Sequence, residues 1–335
     1  MFANRLVLVA LLLCGIAATC SAQNGEVTLE QIHAAWGKRQ ERVKRARFKW
    51  IEVRTFPRGC YGQKGPNLYP PEDTSQEFES EVLISGSMIR YEWKGIEWRN
   101  EKKQFVEKTY RSASDGTTIR TLYSNHIDKR SKQLYPVGFI KTQLQHEDTG
   151  NPHVEIPIFS VRALTPGVGC AGVLNRVISP TGLPALSLKT LDGLPHAVIE
   201  QDFGEHTREV WVDPSKDFVI SRYVVHLHGN RFYQISATYQ RDDQIGWLPE
   251  TWRIDRWIPT SAALEAPRSG VRGLARLADF EINPKLSADI FRPPFPVGTI
   301  VIDNRKERQE HLVREDGWRS LTSIATGGRV FLEEN

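Results

Sequence analysis

The sequence lacks a catalytic signature. No HExxH, GxSxG or GxxxxGK[ST] stretch occurs, so zinc-peptidase, serine-hydrolase and P-loop chemistry have no local motif to rest on. Cysteine is scarce, four in 335 residues, and no CxxC pair exists, which excludes a structural zinc site built from thiolates alone. Charge of one sign is also missing. Lys and Arg total 44 against 40 Asp and Glu, a formal charge of +4, too small a surplus to make nucleic acid the principal partner. Beyond the first two dozen residues no apolar run is long enough to span a membrane as a helix. The 19 prolines and 25 glycines are spread along the whole chain, against a helical bundle.

What is present begins with a leader. Arg5 supplies a charged start, Leu6 to Ala18 is uncharged and apolar, and Cys20 and Ala22 are small residues at signal-peptidase spacing. Residues 1–22 therefore read as a secretory signal cleaved after Ala22. The apolar run is shorter than the ~20 residues a spanning helix needs, and neither Cys14 nor Cys20 is placed for lipidation. The expectation is an exported protein of the periplasm or cell envelope, with no transmembrane segment in its mature chain. Cys14 and Cys20 leave with the leader. Cys60 and Cys170 then remain in an oxidising compartment, and a disulfide between them is the first hypothesis, two separate thiols the second. Such a bridge stabilises by ~4–5 kcal/mol in the chain-entropy model.

Thr28 with Gln31 forms a capping box ahead of a helix whose apolar stripe is Leu29, Ile32, Trp36 and Val43. Lys38, Arg39, Arg42, Lys44 and Arg45 occupy the rest, a solvated face or a surface for anionic head groups. From Phe48 to Phe56 the period turns to two, helix giving way to strand. Hairpins are signalled at Ser85-Gly86-Ser87, Asp115-Gly116, Asp192-Gly193, Pro214-Ser215-Lys216 and Gly229-Asn230. Residues 146–195 are apolar and proline-broken, and read as short helices and loops covering a face until strands resume near Leu186. Trp252 to Trp257 and Leu274 to Ile282 are further strands. A Pro-rich segment runs from Asn283 to Val297, and residues 307–335 read as a charged peripheral tail. No clean linker interrupts 23–306, which implies one domain and a monomer.

The stretches EVWVDPSKDFVISRY (Glu209 to Tyr223) and YQISATYQRDDQIGWLPETW (Tyr233 to Trp252) resemble the LolA/LolB/LppX-type superfamily of exported lipoprotein carriers and lipid-binding proteins. The segment Phe280 to Asp303, with Asn283-Pro284, Phe291, Pro296, Gly298-Thr299 and Asp303, is similar to the terminal strand region of large bacterial relatives. The resemblance implies an α+β fold, a strongly curved antiparallel sheet forming an unclosed half-barrel, with helices covering its concave face. It also implies a cavity that receives a lipid, a lipoprotein acyl chain or another hydrophobic ligand, without chemistry or cofactor, and leaves room for an envelope protein partner. Candidate lining residues are Phe78, Val82, Ile84, Ile89, Tyr91, Trp93, Trp211, Tyr233, Ile235, Tyr239, Trp252 and Ile254. Each is equally an ordinary core residue, and if the side chains fill the space themselves the protein is a structural or interaction module of the envelope.

Weaker constellations point to chemistry. His226 and His228, two apart on a strand, share a face that His206 on the neighbouring strand would approach, a metal arrangement or an exposed histidine pair. Asp115, Asp213, Asp242, Asp243 and Asp303 lie near turns, where local backbone capping explains them as well as acid–base hydrolysis does. Arg90-Tyr91-Glu92-Trp93-Lys94 is an alternating two-sided strand or a base-stacking surface. A secreted hydrolase with a dispersed site is the remaining alternative.

Overall fold

The computed structural model describes residues 27–60, 70–99, 104–127, 134–142, 155–163, 185–202, 204, 206–258 and 268–321. The expected leader, residues 1–22, and Cys170 lie outside them. Sixteen strands form one sheet. They are β1 (Arg45–Phe56), β2 (Thr74–Ser85), β3 (Met88–Arg99), β4 (Gln104–Ser114), β5 (Thr118–Ile127), β6 (Leu134–Thr142), β7 (Ala185–Leu191) and β8 (Leu194–Asp202). The second half supplies β9 (His206–Asp213), β10 (Val219–Leu227), β11 (Asn230–Asp242), β12 (Gly246–Ile258), β13 (Arg268–Ile282), β14 (Ile300–Asp303), β15 (Gln309–Arg314) and β16 (Gly317–Leu321). Two helices are described, α1 (Leu29–Arg42) and α2 (Glu155–Arg162).

The strand order is β16-β15-β14-β6-β5-β4-β3-β2-β1-β13-β12-β11-β10-β9-β8-β7. Two antiparallel meanders meet at the β1–β13 pair, where a bulge falls between Lys49 and Trp50. The sheet is open, its edges being β7 and β16. This corrects the expected α+β half-barrel with helices over its concave face. The protein is a large β-sheet on which two short helices pack, making their contacts with each other and, for α2, with β10 and β12. Residues 146–195 were expected to supply helical cover, and the only helix described there is the two-turn α2.

The hairpins follow local chemistry. At Asp192-Gly193 both residues have positive φ, 51° and 81°, the type I′ geometry that matches strand twist and joins β7 to β8 in two residues. The charged tail is not wholly peripheral, since Gln309–Arg314 and Gly317–Leu321 extend the sheet. β14 reaches it by a long crossing and pairs with β6 in parallel.

α1 begins as its sequence implies. Gln31 N donates to Thr28 Oγ1 at 3.3 Å and Thr28 N donates to Gln31 Oε1 at 3.1 Å. Ile32 and Trp36 are buried, and the Trp36 indole donates to Phe218 O at 2.7 Å. Arg39 departs from its assignment to the solvated face. It is only 6% exposed and donates to Asp217 O at 2.7 Å, because it stands one turn beyond Trp36 on the docked side.

Paired residues of neighbouring strands share a face, and the register therefore defines two sides. The inner side carries the main core, drawn from both helices, β1–β3 and β8–β13. The outer side carries charged rows and, across β6, β14 and β15, a small second core of Ile140, Phe295, Val301 and Val313.

Candidate functional site

The inner face of β1 reads Phe48, Trp50, Glu52, Arg54, Phe56, all buried, while Ile51 and Val53 face outward at 42% and 43% exposure. Trp50 begins a row of rings that runs across the strands. It stacks on Tyr91 at 5.9 Å with an interplanar angle of 5° and tilts against Trp252 at 5.6 Å. Tyr91 and Trp93 both meet Tyr110, at 5.9 and 6.0 Å. Tyr110 meets Tyr123 at 5.1 Å, and Tyr123 meets Phe139 at 6.0 Å. These separations and tilts are the favourable ones for aromatic pairs. The row is graded: Trp50, Tyr91 and Trp93 are buried, whereas Tyr110, Tyr123 and Phe139 are half-buried.

A buried ion pair lies beside the row. Arg54 forks onto Glu52, Nε to Oε1 at 2.9 Å and the second nitrogen to Oε2 at 3.1 Å, and Glu52 is fully buried. The Arg54 guanidinium also covers the Phe78 ring at 3.9 Å, a cation–π contact that is strong when desolvated. Burial pushes the Tyr91 hydroxyl well above its ordinary range. Lys108 stands where the buried and half-buried rings meet, 5.4 Å from both Trp93 and Tyr123.

Of the twelve candidate lining residues, Phe78, Val82, Ile84, Ile89, Tyr91, Trp93, Ile235, Trp252 and Ile254 are brought together in the inner core, with Tyr233 packed against it. Trp211 is not among them. It pairs with Arg222 on the outer face, donates its indole N–H to Glu209 at 2.8 Å, and meets His196. Tyr239 stands at the bulge after Thr238 and donates its hydroxyl to Ile220 O at 2.8 Å. Trp50, Tyr110, Tyr123 and Phe139 belong to the row and were not singled out from sequence. A signal for two of them existed, because the Asp115-Gly116 turn sets the β4–β5 register and places Tyr110 opposite Tyr123.

The outer face is polar across β1–β4. Glu92 is gripped by Arg111 and Arg90, at 2.8 and 2.6 Å; burial opposes its charge, but the two guanidiniums prevail and hold its carboxyl below the usual range. A groove of about 480 Å³ lies here among Lys49, Ile51, Glu79, Glu81, Arg90 and Lys94. The strap between β13 and β14 crosses this side. Asp115 accepts from Thr117 N, Thr117 Oγ1 and Thr118 N at 2.8–2.9 Å and from Arg292 Nε at 2.7 Å. Against the opposing effect of burial, these donors depress its carboxyl to about 2. Phe295 lies over Gly138, where a Cβ would collide with the ring.

The other constellations resolve structurally. His228 sits in the β10–β11 turn with φ 49° rather than on the strand, so it does not share a strand face with His226, and His206 pairs with Leu227. Among the described residues no group of three or more His, Cys, Asp or Glu is placed to hold a metal ion. Asp213 and Asp303 cap their turns, bonding Ser215 and Arg305, and Asp242 bonds Gln244 N and Ile245 N. Cys60 is a half-buried thiol that burial pushes up to about 11, and its expected partner Cys170 lies outside the described residues. Among the described residues no helix is long and apolar enough to cross a membrane.

No family model matches the chain, and no curated protein matches it. Among solved structures the chain aligns with a porin-like protein from Bacteroides uniformis at 9% identity and a TM-score of 0.21, over 69% of this chain and 96% of that one.

Proposed function

We propose that this is an exported, non-enzymatic binding protein that holds an apolar ligand, a lipid or a lipoprotein acyl chain, against the inner face of its β3–β6 strands. One observation carries the reading: the aromatic row passes from buried Trp50, Tyr91 and Trp93 to half-buried Tyr110, Tyr123 and Phe139, so an apolar track begins in the core and continues onto accessible surface. Each acyl CH₂ removed from water contributes ~0.8 kcal/mol, and such a track needs little polar recognition. The resemblance of the Glu209–Trp252 hairpins to LolA-type carriers supports the same reading.

A second reading has its own observation. Nine of the twelve candidate residues are packed into one continuous core, as in an envelope interaction module that fills its interior itself. Native mass spectrometry of the purified protein, followed by organic extraction, separates the two. The carrier retains a lipid adduct and takes up N-phenylnaphthylamine, and Tyr110→Ser with Tyr123→Ser weakens that uptake. A protein that is always empty and takes up no probe rejects the carrier.

A further inference from the structure

A second groove, of about 350 Å³, lies on the outer face of the other half, between the β7–β8 turn and the paired strands β10–β12. That volume is at the lower end of the roughly 300–1,000 Å³ typical of small-molecule sites. Its lining is mixed: Leu191, Leu194 and Leu274 give it an aliphatic part beside the charged Asp192, Lys216 and Arg253, and Leu194 and Leu274 are among the exposed large apolar residues of the molecule. Arg222 also lines it. Among the described residues this arginine makes no ion pair and no side-chain hydrogen bond; it stands over the Trp211 ring at 5.4 Å with its Nε buried and unpartnered.

Most acids nearby have partners of their own, and Asp192 also lines the groove. Glu209 accepts from the Trp211 indole at 2.8 Å, Glu200 pairs with Lys189 at 2.6 Å, Asp213 is held by Ser215 and Lys216, and Asp255 by Arg253. Among the described residues Arg222 has no carboxylate at ion-pair distance, and it is half-buried in this concave site. An oxyanion in the groove would meet the accessible part of the guanidinium with charge-assisted hydrogen bonds.

We infer that this groove is a binding site for a small amphipathic carboxylate, its oxyanion on Arg222 and its aliphatic chain against Leu191, Leu194 and Leu274. The site lies on the opposite face from the aromatic row and does not depend on the carrier reading.

The test is titration of the full exported chain with octanoate, in parallel with inorganic phosphate, by calorimetry and by tryptophan fluorescence. Octanoate binds saturably and perturbs the emission of Trp211, a change lost in Trp211→Phe. Arg222→Gln, which removes no hydrogen bond from the fold, weakens octanoate about ten- to hundredfold, and Arg222→Lys restores part of the loss. Leu274→Ser weakens octanoate and leaves phosphate unaffected. Absence of saturable octanoate binding overturns the site, as does equal affinity in Arg222→Gln. Phosphate binding as tight as octanoate overturns the aliphatic half of the assignment. Uptake by the inner face alone would survive Arg222→Gln, so the two sites fail separately.

Discussion

The two halves of the inner face are built from different materials. Around β8–β11 the buried residues are mostly aliphatic, Ala197, Ile199, Val210, Val212, Ile220, Val225 and Ile235, with Tyr223 the one fully buried ring. Around β1–β3 large rings predominate, Phe48, Trp50, Phe56, Phe78, Tyr91 and Trp93 beside Val82, Ile84 and Ile89, with a salt bridge set among them. A low aliphatic surface leaves depth above the sheet, which another layer must fill. The helices are found there, α2 on β10 and β12 with Phe159 edge-on to Tyr223, and α1 anchored at Asp217 and Phe218. Rings standing out from the β1–β4 strands fill that depth themselves. The difference teaches that one sheet can complete its core in two ways, and that the helical cover expected for the whole face follows side-chain size.

The largest effect that would break this comparison is at the ion pair of the aromatic half. Glu52→Ala leaves the buried Arg54 guanidinium without its carboxylate, and a loss of about 3–5 kcal/mol is expected in urea denaturation. Glu52→Met with Arg54→Leu removes both charges and should recover most of that stability. If Glu52→Ala costs under ~1 kcal/mol, the pair is not a constituent of the packed half, and the half would have to be wetter than its burial indicates.

Next in size is Asp115, which fastens the strap to the outer side of the same half. Its carboxyl is depressed to about 2 in the folded protein, against ~3.9 for an unperturbed aspartate. The stabilisation it supplies is therefore complete above the unfolded value, near pH 4, and is lost as pH falls through the folded value. Asp115→Asn should cost about 2 kcal/mol at neutral pH and flatten the acid limb of stability between roughly pH 4 and 2. Melting curves across that range check both, and an unchanged acid limb would assign the strap's hold to Phe291 and Phe295 instead.

The aliphatic half was the more legible in sequence. EVWVDPSKDFVISRY announces two strands and their turn by alternation and by Pro214, and the structure places β9 and β10 there. The capping box of α1 was likewise local, because three residues contain the whole interaction. The β1 segment was not readable in the same way. Ile51 and Val53 would be assigned inward on hydrophobicity, yet Phe48, Trp50 and Phe56 hold the register, and a period of two then forces Glu52 and Arg54 inside. Their burial is tolerable only because they fork onto each other, a relation between two side chains that no propensity records. The parallel β6–β14 pair was invisible for a related reason. It joins segments about 160 residues apart in sequence, and nothing local in β6 marks its partner.

The smallest expected effect sharpens the comparison most. Thr28→Ala removes the hydroxyl acceptor of the α1 cap, and should cost about 1 kcal/mol. If the halves complete their cores separately, hydrogen exchange should quicken in α1 and in the Asp217–Phe218 turn it anchors, while amides of β3–β5 keep their protection. The double variant with Asp115→Asn then tests whether the halves are energetically distinct. The two sites share no bonding partner, so their costs should add within ~0.5 kcal/mol. A coupling well beyond that would mean that strain passes across the β1–β13 seam, where Phe48, Trp50 and Glu52 face Phe280, Leu277 and Ala275, and that helix docking on one side helps set the ring packing on the other.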